Sequence, residues 1–417
     1  MSIVIQCCVA ISLLILLATH SLAEPIQQAH HIDALTVNSN LKLSTVLDKA
    51  FVRHPLQATF QSKAIVVNAK KMVANAMLPA APAISVMHQN DVLGSGRGER
   101  EWQAEMEMPI WLPHQRSGRL NVADASQSSA MASQESLKLH VAGQLREALW
   151  EIAINDNHLS LARNKLSFAN QLQGDVEKRF QAGEIAKTDV MLAQQEVLRA
   201  EQDKLRAEAE VMHTRYRYYL LTGLNEIPEH FEEPQSKLEN YSLSPIWLEA
   251  QTKVGLAETE RHLAQIESRE NLQVLLNMRS TKGAFDHLSN ESVGVTVRIP
   301  LGGEARAAPI KAAAELGVGN ALSERKTLQY TLEAAMHEAE HNLAVSRAEL
   351  VLVSKQFEIA KENARLAQKA FQLGESDLVS LLRVQAQSFE AERAFTTRQI
   401  QVQWDIARYN QAVGALP

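Results

Sequence analysis

The chain has 417 residues, is 46% hydrophobic but only 5% aromatic, and carries a formal charge of −6. That apolar content excludes a disordered chain, and the acidic balance gives no electrostatic footprint for nucleic acid. Few aromatics beside abundant Ala, Gln, Glu and Leu suit long helices packed through small side chains better than one thick core.

The first segment reads MSIVIQCCVAISLLILLATHSLAEP. An uncharged apolar run follows Met1-Ser2 and closes on Ser21-Leu22-Ala23, a small-x-small site before Glu24. The pattern predicts a secretory signal peptide over residues 1–23, hence export, although no Lys or Arg precedes the run. A retained membrane anchor is the competing reading. Cys7 and Cys8 lie early in the run, which argues against a lipoprotein site, and they are the only 2 cysteines. The mature chain is therefore expected to hold neither a disulfide nor a thiolate metal site. A polar segment, 24–42, follows. No later stretch offers the roughly 18 consecutive apolar residues of a spanning helix.

From Leu43 one pattern is written twice. FQAGEIAKTD at Phe180–Asp189 recurs as FQLGESDLVS at Phe371–Ser380, an offset of 191 residues. The same offset carries Pro109 onto Pro300, Tyr218 onto Tyr409 and Gly223 onto Gly414. A register held this long marks a duplication. Repeat 1 is assigned to 43–223 and repeat 2 to 244–417, with a linker at 224–243.

Each repeat carries two segments of period-two alternation. In EREWQAEMEMPIW, Trp102, Ala104, Met106, Met108 and Ile110 share one face; Glu101, Gln103, Glu105 and Glu107 share the other. PAISVMHQN alternates more weakly, completing a hairpin over about 82–110. NLQVLLNMR and SVGVTVRIP form a second over about 271–300. About ten residues per strand is what a tilted strand needs to cross a bilayer. Trp102 and Trp111 would stand near opposite rims. Two hairpins of a soluble sandwich are the competing reading.

Between hairpin and turn lie some 70 residues with almost no breakers, from Pro109 to Phe180 and from Pro300 to Phe371. About 60 helical residues would make a rod of roughly 90 Å. The helix after the first turn carries two apolar lines: Val190, Ala193, Val197 and Ala200, and beside them Met191, Leu198, Leu205 and Met212. Two lines fit a helix with neighbours on both flanks, as in a tube around an aqueous lumen. A plain coiled coil competes, but leaves the strands unexplained. Four strands cannot close a barrel, and lipid does not tolerate open edges, so the chain must pool strands with copies of itself. The expected fold is mainly α with a membrane β-barrel portion.

LKLSTVLDKAFVRHPLQATFQSKAIVVNAKK, broken at Arg53-His54-Pro55, and KRFQAGEIAKTDVMLAQQEVLRAE are similar to the opening helix and helix-tip turn of the outer-membrane efflux family typified by TolC. KAFQLGESDLVSLLRVQAQSFEAER matches the turn more loosely. The resemblance covers nearly the whole mature chain. PIWLPHQR and IPLGGEARAAP look most like the heavy-metal cation (cobalt-zinc-cadmium type) branch.

The resemblance implies a homotrimeric, non-enzymatic duct without cofactor: a twelve-stranded barrel in outer-membrane lipid and a helical tunnel across the periplasm. Its tips, here Gly183, Glu184, Gly374 and Glu375, would dock a periplasmic adaptor serving an inner-membrane pump. Members commonly narrow the periplasmic mouth with acidic or polar residues after the tip. Asp189 matches such a position, but its offset partner is Ser380 and the next turn carries Arg383, so an all-acidic constriction is not expected. Drug export and type I protein secretion use the same architecture.

One motif points elsewhere. His337-Glu338-Ala339-Glu340-His341 satisfies HExxH, the pattern of a zinc peptidase with His337 and His341 as ligands and Glu338 as base. It sits mid-rod without a visible third ligand, and its offset partners are Arg146 and Trp150, which suits a generic exposed position. His30-His31 reads as solvated chain, and Met106 and Met108 as lipid contacts rather than soft-metal ligands. Gly94-Ser95-Gly96-Arg97-Gly98 joins two strands and precedes no helix, unlike a phosphate cradle.

Overall fold

The computed structural model describes residues 35–417; the expected signal peptide, Cys7, Cys8 and His30-His31 lie outside the described residues. Strand β1 (Thr36–Asn38) leads into helices α1 (Leu43–Arg53) and α2 (Gln57–Asn75). They part at Arg53-His54-Pro55, where His54 takes an extended ψ of 133° because the following proline excludes the helical conformation. Strands β2 (Ala83–Asn90) and β3 (Arg100–Ile110) precede the long α3 (Gln115–Gln181) and the returning α4 (Lys187–Thr222). Then come β4 (Glu226–Pro228), α5 (Pro245–Glu267), β5 (Leu272–Lys282), β6 (Asn290–Arg298), α6 (Glu304–Gln372) and α7 (Leu378–Val413).

The 191-residue offset reappears in the elements. It carries Gln181, Lys187 and Thr222, bounds of α3 and α4, onto Gln372, Leu378 and Val413, bounds of α6 and α7. The rods α3 and α6 hold 67 and 69 residues, about 100 Å each by helix rise. They exceed expectation because helix begins within a few residues of the strand end. Among the described residues, no helix is long and apolar enough to cross a membrane.

The two hairpins merge into one antiparallel sheet in the order β2-β3-β5-β6. The register aligns Ile84, Met106, Leu276 and Val295 in one row across all four strands. The next row, on the opposite face, is Ser85, Glu105, Asn277 and Gly294. Alternation within each strand thus becomes an apolar face and a polar face of a whole sheet. A Cβ at Gly294 would stand 2.5 Å from Asn277 Oδ1, so a larger residue there would displace the Asn277 amide. β2 and β6 are left as edges.

The helices form a row of their own. Near the turns, α4 packs on α3, α3 on α7 and α7 on α6; nearer the strands, α2 packs on α3, α3 on α5 and α5 on α6. Partway along, α1 buries Val46, Leu47, Ala50 and Phe51 against Leu145 and Leu149 of α3 and Tyr218 of α4. There β1 and β4 pair in parallel, a contact absent from the sequence reading because three-residue strands carry no periodicity. The linker straps this level: Arg146 of α3 donates to both Glu233 carboxylate oxygens at 2.7 Å and to the Ala415 carbonyl at 2.9 Å. Its offset partner His337 stands exposed, so the copies have diverged here.

Candidate functional site: sheet face, junction and helix tips

On β3, the central strand beside β5, most of the apolar-face residues are the more exposed ones. Along β3, Trp102, Ala104 and Met106 are open, whereas Glu101, Gln103, Glu105 and Glu107 are half-buried on a face where the apolar Met87 and Leu275 sit beside Gln103 and Glu107. That inverts the pattern of a sheet face in water and fits an outer surface bathed in hydrocarbon. Arg279 Nε lies 2.6 Å from Glu101 on the polar face, and Arg298 lies 3.8 Å from Glu107. Trp102 stacks on His88 with centroids 4.1 Å apart, beside a loop that Asp91 ties by accepting from the Arg97 and Gly98 N–H groups. Trp111 sits at the other end of β3, where its indole N–H donates to the Met77 carbonyl at 3.1 Å and its ring underlies Arg119. Its polar edge is thus held by protein.

The strand-to-helix junction of repeat 1 is a polar knot. Gln115, fully buried, donates to Glu267 Oε1 at 3.1 Å and to Asn271 Oδ1 at 3.2 Å. Asn271 donates to the Ile110 carbonyl, and Arg119 pairs with Glu267 at 2.6 Å. A buried network satisfied in this way fixes the helix to the strand. Sequence periodicity gave no hint of it, since its members are scattered over β3, α3, α5 and the turn before β5.

The tips are two copies of one turn. Gly183 and Gly374 have φ of 79° and 77°, the left-handed conformation that glycine adopts without a Cβ penalty. Glu184 N–H reaches the Arg179 carbonyl and Gly183 N–H the Phe180 carbonyl, both at 2.9 Å; Glu375 and Gly374 repeat the pattern on Ala370 and Phe371. These paired bonds are Schellman closures. Glu184 and Glu375 are both exposed.

The expected constriction residues have local duties. Asp189 accepts from the Ala186 N–H at 3.3 Å, while Ser380 donates its backbone N–H to Asp377 at 2.7 Å and its hydroxyl at 3.0 Å. Asp377 is the offset partner of Ala186, so each copy uses one half of a capping box. The backbone N–H of Ser380, with its hydroxyl, holds the Asp377 carboxyl below its usual range. Arg383 is exposed and lines a groove of about 780 Å³ over α3, between α4 and α7. Asp189, Ser380 and Arg383 are not drawn together within one chain by any hydrogen bond or ion pair among the described residues.

The sequence reading missed Arg179. It donates to the Phe371 carbonyl at 2.8 Å, lies 4.9 Å from the Phe371 ring centre and pairs with Glu184 at 3.0 Å. It thereby binds the first turn to the end of α6, where a cation meets the negative end of the helix dipole. Its offset partner is Ala370, so the clasp runs one way; comparing the copies residue by residue would have flagged it. Phe371 is buried with Leu172, Val176 and Leu381, whereas Phe180 is exposed.

His337, Glu338 and His341 are exposed on α6. Among the described residues, no group of three or more His, Cys, Asp or Glu side chains is placed to hold a metal ion.

Long paired helices continuing into a small amphipathic sheet define the fold of TolC-like outer-membrane channels. The family model for outer membrane efflux protein matches residues 84–224, from β2 to the end of α4. VceC, an outer membrane protein from Vibrio cholerae, aligns at TM-score 0.74 and 13% identity, over 89% of this chain and 96% of that one. The CmeC outer membrane channel of Campylobacter jejuni aligns at 0.72 and 13%, over 91% and 88%. A membrane protein from Pseudomonas aeruginosa aligns at 0.71 and 16%, over 92% of both chains. At such identities the likeness is one of fold. A search of curated protein sequences finds no match.

Proposed function

We propose that this chain is the outer-membrane exit duct of a tripartite efflux system, working as a homotrimer and catalysing no reaction. One observation carries the reading: a four-stranded sheet with an exposed apolar face, a polar face and two open edges, continuing into rods of about 100 Å. Such a sheet is unsatisfied both in water and, alone, in lipid; closing with copies of itself satisfies every edge. An even number of antiparallel strands lets β6 of one copy meet β2 of the next antiparallel, so three copies make a continuous barrel of twelve.

In this reading residues 1–23 are a signal peptide, and 43–223 and 244–417 are repeat units around the 224–243 strap. The turns at Gly183-Glu184 and Gly374-Glu375 dock a periplasmic adaptor, behind which stands an inner-membrane pump. Asp189, Ser380 and Arg383 ring the periplasmic mouth. With Asp189 and Ser380 engaged in capping, Arg383 supplies the mouth's uncommitted charge. Heavy-metal cations are the proposed cargo, supported by the PIWLPHQR and IPLGGEARAAP junctions; loss of zinc, cobalt or cadmium tolerance on deletion would test it, and unchanged tolerance would favour drugs or secreted proteins. No observation favours a zinc peptidase.

Cell fractionation tests the duct itself. The mature chain should appear in outer membranes as an oligomer that heating dissociates. Recovery as a soluble periplasmic monomer would contradict the reading.

A further inference from the structure

The row α4-α3-α7-α6 ends in two helices that carry unpartnered apolar lines. On α4, Val197 and Ala200 are buried toward α3, whereas Met191, Leu198, Leu205 and Met212 are 46–63% exposed at strict seven-residue spacing. On α6, at the other end of the row, Val345, Leu352, Ile359 and Leu366 are 39–72% exposed at the same spacing. A seven-residue apolar repeat is the seam of a helix pair, and among the described residues these two half-seams have no partner.

Their heights match. The Arg179–Phe371 bond sets the ends of α3 and α6 level within a chain. Counted from the tips at 1.5 Å per residue, Met191 and Leu366 stand about 6 and 9 Å up, and Met212 and Val345 about 38 and 41 Å. Every intermediate pair keeps the same small difference, as antiparallel helices require. Glu201 and Lys355, both exposed, fall between Ile359 and Leu205, so opposite charges meet within the seam.

We propose that α4 of one copy and α6 of the next form an antiparallel apolar seam pairing Met191 with Leu366, Leu198 with Ile359, Leu205 with Leu352 and Met212 with Val345. The occupant of each line is a second copy of this chain, because the complementary line lies on the same chain at the opposite edge. The strand edges β2 and β6 lie in the same sense around the molecule, so one rotation satisfies barrel and tunnel together. This rests on the proposed multi-copy duct and assigns its tunnel contacts.

Disulfide trapping tests the register. The residues expected in the mature chain contain no cysteine, so Leu205→Cys with Leu352→Cys introduces the only thiols. Oxidation of that variant should link chains covalently up to the complete ring in non-reducing gels. Leu205→Cys with Val345→Cys is displaced by about 10.5 Å, beyond the roughly 7 Å that a disulfide spans between Cα atoms, and should not link. If the displaced pair links as well, or the in-register pair does not while light scattering still finds the oligomer, the seam is wrong and the duct reading stands. A monomer by light scattering before oxidation would overturn both.

Discussion

Gly183 and Gly374 show what a single residue decides here. Both take positive φ, and open space surrounds the position a Cβ would occupy at Gly183, so a side chain there meets backbone strain and no clash. Valine in that conformation costs about 1–3 kcal/mol, spent at the tip. Gly183→Val should therefore abolish adaptor crosslinking and export while leaving oligomer yield intact, since the sheet lies about 100 Å away by helix rise. Parent-like crosslinking and export would show that the tip is not the docking site. Gly374→Val should have the smaller effect, because Arg179 and buried Phe371 brace the second turn. These glycines were legible in the sequence, since the turn was written twice. Arg179 was not, since its role depends on a carbonyl some 190 positions away that no local pattern encodes.

At the scale of elements, legibility followed periodicity. The alternation of β3, β5 and β6 separated the residues of the two sheet faces from the sequence alone, and the tip and Pro55 breaks set the helix bounds. The β1–β4 pair and the Gln115 knot escaped because their partners are short or scattered. The sheet's two faces make a sharp prediction. Val295→Arg puts a charge on the apolar face and should cost about 2–4 kcal/mol near the bilayer midplane. Ser85→Arg faces Glu105 on the polar face and should assemble normally. Equal oligomer yields on unheated gels would mean the faces are assigned the wrong way.

The contact between α3 and α7 carries a pH dependence. Burial lowers the pKa of His158 from its ordinary 6.5, and the Arg393 charge lowers it further; Thr397 Oγ1 lies 3.4 Å from its Nε2. Folding favours the neutral ring, so this contribution is intact above pH 6.5 and is lost as pH falls below that value. The chain's unfolding temperature should drop between pH 7.5 and 5.5, and His158→Gln should lessen that drop. An identical drop in parent and variant would show that His158 does not carry the pH dependence.

For the whole molecule, the decisive property is incompleteness. One chain exposes an apolar sheet face, two strand edges and two helix lines, each of which water, or lipid alone, leaves unsatisfied. In the proposed ring all of them are resolved at once, with the polar sheet face lining an aqueous passage. That passage is proposed to run continuously through the membrane. Single-channel recording of the purified oligomer in planar lipid bilayers measures it directly. Intact oligomer should give discrete, long-lived conductance steps, and heat-dissociated protein none. Bilayers that take up intact oligomer yet remain electrically silent would contradict it and favour a scaffold without a pore.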